Sequence, residues 1–213
     1  MRNYGNTCYC NAVLQCLKRC PPTRPCVDKS LEGPEEHRAF VRTLSRFGNF
    51  GRFACDASEF LLKILDEVDA FTGEFRTHLH CPVCDKEEDR MEEATIVPIC
   101  ANDDVMSLLT SHRPDARYMC ECGEVFQAKT TFYSGDCLVL HFICRVTLQW
   151  VQSLRIRTMR LVALVFYTGV HYTAYCLTES GWKTFDDDLI YAHPPRARPY
   201  MAFFTSIKDD GRS

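Results

Sequence analysis

The chain has 213 residues, 46% of them hydrophobic and 25% charged, which is typical of a globular protein with a sizeable core. Its formal net charge of −3 and the absence of a Lys/Arg run argue against nucleic acid or an anionic membrane as the main partner. No apolar stretch is long enough to span a bilayer, and the N-terminus lacks the apolar core of a signal peptide, so we expect an intracellular protein. We also expect it to act as a monomer.

The first predicted element is an amphipathic helix that begins near Cys8, after the turn Asn3–Thr7, and stops before Pro21. Its apolar stripe consists of Val13, Leu14 and Leu17. Thr7 is placed to cap this helix, so the Cys8 sulfur would lie near unpaired backbone N–H groups, which lower the pKa of a thiol. Such a cysteine could be a nucleophile, although most cysteines at helix starts are small core residues.

Two more helices and then a β-rich half are predicted. After the loop Cys20–Glu36, helical spacing indicates one helix over Phe40–Phe47 and another that is capped by Asp56 or Ser58. The second helix would bury Phe60, Leu61, Ile64, Leu65 and Val68. From Glu74 onward the pattern is typical of short strands separated by turn residues. The predicted strands are Glu74–Leu79, Thr95–Pro98, Glu124–Tyr133, Cys137–Val146, Arg155–Tyr167 and His171–Leu177.

Two cysteine pairs in the turn-rich middle of the chain favour a structural zinc site. They are the C-x-x-C pair Cys81 and Cys84 and the C-x-C pair Cys120 and Cys122. Four thiolates from two knuckles provide the tetrahedral environment that zinc prefers, and a zinc ion would stabilise a β ribbon that is too thin for its own core. The alternatives are that these four of the 14 cysteines are ordinary reduced thiols, or that His78 or His80 replaces one ligand.

A base and a carboxylate for Cys8 occur late in the chain. His171 begins a strand that follows the apolar run Leu161–Tyr167, and a turn at Ser180–Gly181 would fold the strand Trp182–Asp188 back onto it. This pairing can bring an aspartate beside the imidazole and complete a Cys-His-Asp arrangement. The alternative is a structural histidine next to a solvated acidic turn.

Several separate motifs, in order along the chain, resemble those of the ubiquitin-specific protease family of deubiquitinases. Asn3–Gln15 resembles the Cys box of that family, and Asp56–Leu61 resembles its Asp-Ala-x-Glu-Phe-Leu helix. His171–Tyr175 and Trp182–Asp187 resemble its His box. The other matching segments are Phe71–Gly73, Cys81–Cys84, Tyr118–Cys120, Leu138–Phe142 and Tyr200–Phe204.

The resemblance implies an α+β, papain-like cysteine peptidase fold with a helical N-terminal lobe, zinc-ribbon fingers and an antiparallel β C-terminal lobe. One catalytic domain would span residues 1–207, with a polar tail over 208–213. The helical thumb would comprise residues 1–73, the fingers 74–146 and the β palm 147–207.

The resemblance also implies roles for individual residues. Cys8 would be the nucleophile, His171 the general base and then acid, and Asp186 the residue that orients His171. Asn3 would donate to the oxyanion, and Asp187 would assist the same site. Asp56 and Tyr172 would line the channel for the ubiquitin tail, and the four cysteines of the two pairs would bind zinc.

The function implied is thiol-dependent hydrolysis of the bond after the C-terminal glycine of ubiquitin. The alternatives are a non-catalytic ubiquitin-binding scaffold of the same fold, a protease for a ubiquitin-like modifier, and a zinc-ribbon interaction protein in which Cys8 is a core residue. Two departures from the family pattern are Ala54-Cys55, where paired glutamines are usual, and Val170, where glycine is usual. The turn before His171 is very short, which predicts an open cleft.

Overall fold

The structure is a computed structural model that describes residues 3, 6–21, 39, 42, 54–68, 73–94, 96–100, 105, 118–133, 135–156 and 158–207. Several sequence predictions lie outside these residues: part of the first motif, most of the loop Cys20–Glu36, the apolar residues of Phe40–Phe47 and the polar tail. In the described part of the chain, no helix is both long enough and apolar enough to cross a membrane.

Two helices form the described part of the N-terminal lobe. Helix α1 spans Cys8–Leu17, and helix α2 spans Ala57–Val68. The predicted stripe of α1 is fully buried, and so are Phe60 and Leu61 of α2. The Tyr9 ring of α1 packs edge-on against Phe60, with ring centroids 5.4 Å apart. The two helices therefore pack together through the faces that the sequence predicted.

A seven-stranded sheet forms the C-terminal lobe, in the order β3-β5-β10-β6-β7-β8-β9. Its strands are β3 Val97–Ile99, β5 Cys137–Phe142, β6 Met159–Tyr167, β7 Tyr172–Thr178, β8 Gly181–Asp186, β9 Leu189–Tyr191 and β10 Arg198–Ser206. All neighbours are antiparallel except β3 and β5, which are parallel. A short helix α3, Leu148–Ser153, lies between β5 and β6.

Both faces of this sheet are covered, and this positions α1. One face packs against α1 and α2 through side chains such as Ala174, Cys176 and Phe203. The other face packs against α3 through side chains such as Leu164, Tyr175 and Phe204. Because α1 lies directly on β7, the start of the helix and the start of that strand come close together.

A separate three-stranded sheet, in the order β2-β1-β4, forms the middle of the chain. Its strands are β1 Gly73–His80, β2 Glu87–Ala94 and β4 Gln127–Tyr133, all antiparallel. Its small core at the cysteine end contains Leu79, Cys81, Cys120 and Phe126. The predicted α+β class, with a helical lobe, a β lobe and a cysteine-bearing ribbon, is thus confirmed.

Candidate active site

Cys8 is the first residue of α1, as the sequence predicts, and Thr7 occupies the N-cap position. The Thr7 side chain makes no capping bond to the helix; its hydroxyl instead donates to Asn3 Oδ1 at 3.1 Å. The predicted capping geometry is therefore wrong in this detail. The consequence is that Thr7 ties Asn3 to the start of the helix that carries Cys8.

The environment of Cys8 raises the pKa of its thiol, which corrects the expectation of a lowered value. Burial is the main cause, and the charge of Asp187 adds to it. Backbone N–H groups of Tyr172, Tyr9 and Cys8 itself act on the sulfur in the opposite direction without reversing the shift. Desolvation of the thiolate outweighs the helix N-terminus here, because a half-buried charge loses more hydration than these N–H groups return.

His171 and Asp186 meet across the β7–β8 hairpin. The turn at Gly181, where φ is +94°, pairs the two strands so that Ala174 faces Phe185. His171 Nε2 lies 2.6 Å from Asp186 Oδ1. Since a carboxylate can only accept, Nε2 carries the proton, and Nδ1 is the basic nitrogen of the neutral ring.

Cys8 is linked to the strand that carries His171 by a backbone N–H group. The N–H group of Tyr172, the residue after His171, acts on the Cys8 sulfur. His171 and Asp186 are each about one third exposed. The structure therefore brings the start of α1 and the His171-Asp186 pair together in a site that solvent and a substrate can reach.

Asn3 and Asp187 also belong to this site. Asn3 Nδ2 donates to Asp187 Oδ2 at 2.9 Å, and Asn3 Oδ1 accepts from the Thr7 N–H at 3.3 Å. Asn11 Nδ2 donates to the other oxygen of Asp187 at 2.6 Å. Sequence reasoning assigned no role to Asn11, although its place three residues after Cys8, on the buried side of α1, was a usable signal.

Asp56 and Tyr172 are joined by a hydrogen bond from the Tyr172 hydroxyl to the Asp56 carboxylate. Asp56 Oδ1 accepts from the Ser58 backbone N–H at 2.7 Å, so Asp56 is the N-cap of α2. Its Oδ2 accepts from Tyr200 at 2.6 Å and from Tyr172 at 3.3 Å. Burial raises the pKa of Asp56, but these bonds outweigh it and hold the pKa below its usual value. Asp56 thus links α2 to β7 and β10, and Tyr200 is a partner that the sequence did not indicate.

The four predicted zinc ligands converge at one end of the ribbon. The Sγ atoms of four cysteines all lie within 4.8 Å of one another: Cys81, Cys84, Cys120 and Cys122. Cys81 Sγ is 3.5 Å from Cys122 Sγ, and Cys84 Sγ is 3.5 Å from Cys120 Sγ. Ligands at about 2.3 Å from a tetrahedral zinc ion are separated by roughly 3.8 Å, so the cluster fits such an ion.

The two knuckles close in a similar way despite their different spacing, because in each the residue after the second cysteine donates to the carbonyl of the first cysteine. Asp85 N–H donates to Cys81 O at 3.0 Å, and Gly123 N–H donates to Cys120 O at 2.9 Å. Each knuckle ends on a left-handed residue, with φ of 55° at Asp85 and 89° at Gly123. The C-x-C pair is therefore a knuckle with one residue fewer.

Backbone groups favour a thiolate at one sulfur of the cluster, whereas hydrogen bonds to neighbouring sulfurs raise the pKa of Cys84 and Cys122. The N–H groups of Cys84 and Val83 act on the Cys81 sulfur and lower its pKa to about 6. The alternative ligands are held elsewhere, because His78 Nδ1 lies 2.9 Å from Asp89 and His80 Nε2 lies 3.3 Å from Asp85. In the described residues the thiol cluster contains only the four cysteines.

Comparison with known proteins agrees with these motifs. The family model "Ubiquitin carboxyl-terminal hydrolase" matches residues 1–49, the segment that contains Cys8. No curated protein matches the sequence. The family match thus covers the N-terminal segment alone, and the remainder of the chain is compared through its fold.

Solved structures share the fold over nearly the whole chain. A chain of the SAGA DUB module Ubp8/Sgf11/Sus1/Sgf73 bound to monoubiquitin matches with a TM-score of 0.70 and 16% identity, covering 97% of this chain and 68% of that one. The module bound to ubiquitin aldehyde gives 0.68 and 16%, covering 97% and 69%. A yeast SAGA DUB module gives 0.65 and 16%, covering 97% and 68%. The N-terminal family match and this papain-like fold confirm the predicted resemblance of the chain to the ubiquitin-specific protease family.

Proposed function

We propose that this protein is a thiol-dependent deubiquitinase that hydrolyses the isopeptide bond after the C-terminal glycine of ubiquitin. The observation that carries the proposal is that the backbone N–H of Tyr172, the residue after His171, acts on the Cys8 sulfur while His171 bonds to Asp186 across the β7–β8 hairpin. The family match at residues 1–49 and the ubiquitin-bound neighbours support ubiquitin as the modifier. The thumb 1–73, the fingers 74–146 and the palm 147–207 would act as one catalytic domain.

The proposed mechanism begins with a protonated thiol. Because the pKa of Cys8 is raised, His171 Nδ1 must remove the proton as the sulfur attacks the glycine carbonyl. Asp186 holds the ring through Nε2 and stabilises the imidazolium that forms. His171 then protonates the departing lysine amine, and a water molecule, deprotonated by His171, hydrolyses the thioester and releases Cys8.

We also propose that the four cysteines of the ribbon bind one structural zinc ion. Cys81, Cys84, Cys120 and Cys122 would hold it, and the spacing of their sulfurs supports this assignment. The ion would fix the end of the three-stranded sheet and takes no part in the chemistry at Cys8. The cysteines in the described part of the chain form no disulfide, which supports an intracellular location.

Ubiquitin with a C-terminal thiol-reactive electrophile tests the proposed activity. We expect a covalent adduct with the wild type and with Cys144→Ala, a control at another half-buried cysteine. Cys8→Ala and His171→Ala should form none. Ubiquitin binding without an adduct would identify a scaffold, and adducts with a ubiquitin-like modifier alone would change the substrate. If the wild type forms no adduct and binds no ubiquitin, the proposal is overturned.

A further inference from the structure

Asp187 accepts hydrogen bonds from two asparagines on either side of the nucleophile. Asn11, in α1, donates to Oδ1 at 2.6 Å, and Asn3, before the helix, donates to Oδ2 at 2.9 Å. Both oxygens of one carboxylate are thus used to join the two segments. We infer that Asn11 and Asp187 form a clamp that positions Asn3 for the tetrahedral oxyanion, an inference that rests on the proposed function.

The clamp fixes the orientation of the Asn3 amide. Asn3 Oδ1 accepts from the Thr7 N–H at 3.3 Å and from the Thr7 hydroxyl at 3.1 Å. The carboxylate of Asp187 can only accept, so it requires the NH₂ group on its own side. An amide flip would break bonds at both ends. Asn3 lies outside any helix or strand, and these side-chain bonds join it to Thr7 and to Asp187.

Asp187 itself is held in an unusual backbone conformation. Its φ of 51° lies in the left-handed region, which costs a residue other than glycine on the order of 1 kcal/mol. It begins the tight turn between β8 and β9, directly after Asp186. The two neighbouring aspartates therefore have different hydrogen-bond partners: Asp186 bonds to His171, and Asp187 bonds to the two asparagines.

Asn11 is a buried polar residue whose bond serves the site. Only 3% of Asn11 is exposed, and its amide reaches from the core face of α1 to Asp187. A charged acceptor makes this bond stronger than one between neutral groups. Asn11 and Asp187 touch neither substrate nor nucleophile in the proposed reaction, so they are positioning residues for Asn3.

Two reactions of Cys8 separate this role from a structural one. Hydrolysis of a C-terminal ubiquitin amide passes through an oxyanion, whereas addition of Cys8 to a C-terminal alkyne on ubiquitin does not. For Asn11→Ala and for the isosteric Asp187→Asn, kcat for hydrolysis should fall about 10- to 100-fold with KM nearly unchanged. The rate of the alkyne reaction should change less than about 2-fold for Asn11→Ala and for Asn3→Ala, which removes the donor itself. For Asp187→Asn it should not fall, because the charge of Asp187 raises the pKa of Cys8 and its loss favours the thiolate.

The outcomes distinguish the clamp from the proposed function. If the wild-type protein does not hydrolyse the C-terminal ubiquitin amide, the proposed function is refuted. Hydrolysis that is unaffected in both variants, or equal losses in the two reactions, would overturn the clamp while the function stands. Circular dichroism of each variant separates a local effect from misfolding, and Asp187→Asn preserves the volume of the side chain where Asn11→Ala leaves a cavity.

A pH profile gives an independent test with Asn11→Asp. The new carboxyl would lie near 2.6 Å from Asp187, so the pair should keep one proton to a higher pH than either carboxyl alone. In the protonated pair an O–H donates to Asp187 in place of the amide. Among the described residues, Cys8, His171 and Asp186 are titratable groups near Asp187, and they are the same in both proteins.

The hydrolysis rate of Asn11→Asp, divided by that of the wild type, should therefore fall as the pH rises through the pKa of the carboxyl pair. The same ratio for the alkyne reaction should fall less, because that reaction depends on the added charge only through the pKa of Cys8. A hydrolysis ratio that is independent of pH would overturn the clamp.

Discussion

Cys8 lies between groups that change the pKa of its thiol in opposite directions. Burial and the charge of Asp187 raise it, and three backbone N–H groups lower it. The net rise means that the helix alone does not favour a thiolate, so in the proposed mechanism thiolate formation would depend on His171. Sequence predicted the position of Cys8 at the helix start, but it could not predict this balance, because burial is a property of the packed site.

Alkylation of Cys8 as a function of pH measures this dependence. In His171→Ala the rate at Cys8 should keep rising with pH into and beyond the usual range for thiols near 8.5, because the thiol has no base and its pKa is raised. In the wild type the rate should level off at a lower pH. Quantitative mass spectrometry of the Cys8 peptide after iodoacetamide treatment gives both profiles. Identical profiles would show that His171 does not activate Cys8.

At the scale of elements, the helices and strands that form as predicted are those with a clear hydrophobic periodicity or turn residue in the sequence. The α1 and α2 stripes and the β7–β8 hairpin have clear periodicity or a glycine turn, and their elements form as predicted. Strand β2, Glu87–Ala94, was missed because its acidic sequence has no alternating apolar face; pairing with β1 is what extends it. Helix α3 was missed because six residues give too short a pattern.

The paired knuckles predict how the ribbon responds to loss of the metal. Wild type and His80→Ala should contain about one equivalent of zinc, because His80 is held by Asp85 outside the cluster. Cys81→Ser with Cys84→Ser should lose it. Without zinc, amide protection in β1, β2 and β4 should fall while β6 and β7 stay protected, because the described core at the cysteine end of the ribbon is a cluster of four buried residues.

Metal content by mass spectrometry and hydrogen exchange test this prediction together. Gly123→Ala offers a milder change, because its φ of 89° strains any residue with a Cβ, so its zinc affinity should be reduced. Unchanged metal content in the double cysteine variant would remove the zinc assignment and leave the activity proposal intact.

At the scale of the whole molecule, the exposed sheet edges explain why we expect a monomer. In the described residues, β3 and β9 end the large sheet and have three residues each. In the small sheet the edge strands are β2 and β4, and β2 has eight residues, of which five are acidic and most of these are exposed. Short edges and like charges both oppose pairing with a second copy.

Removing the charge from β2 should therefore cause self-association. A triple variant combines Glu87→Val, Asp89→Val and Glu93→Val. Its three valines lie with exposed Met91 on one side of the strand and leave the backbone edge of β2 able to pair. Sedimentation velocity at increasing concentration should show dimers or larger species, whereas the wild type stays monomeric. Lysine at the same three positions restores a charged edge and should remain monomeric, so self-association of the lysine variant would show that charge on β2 is not what keeps the copies apart.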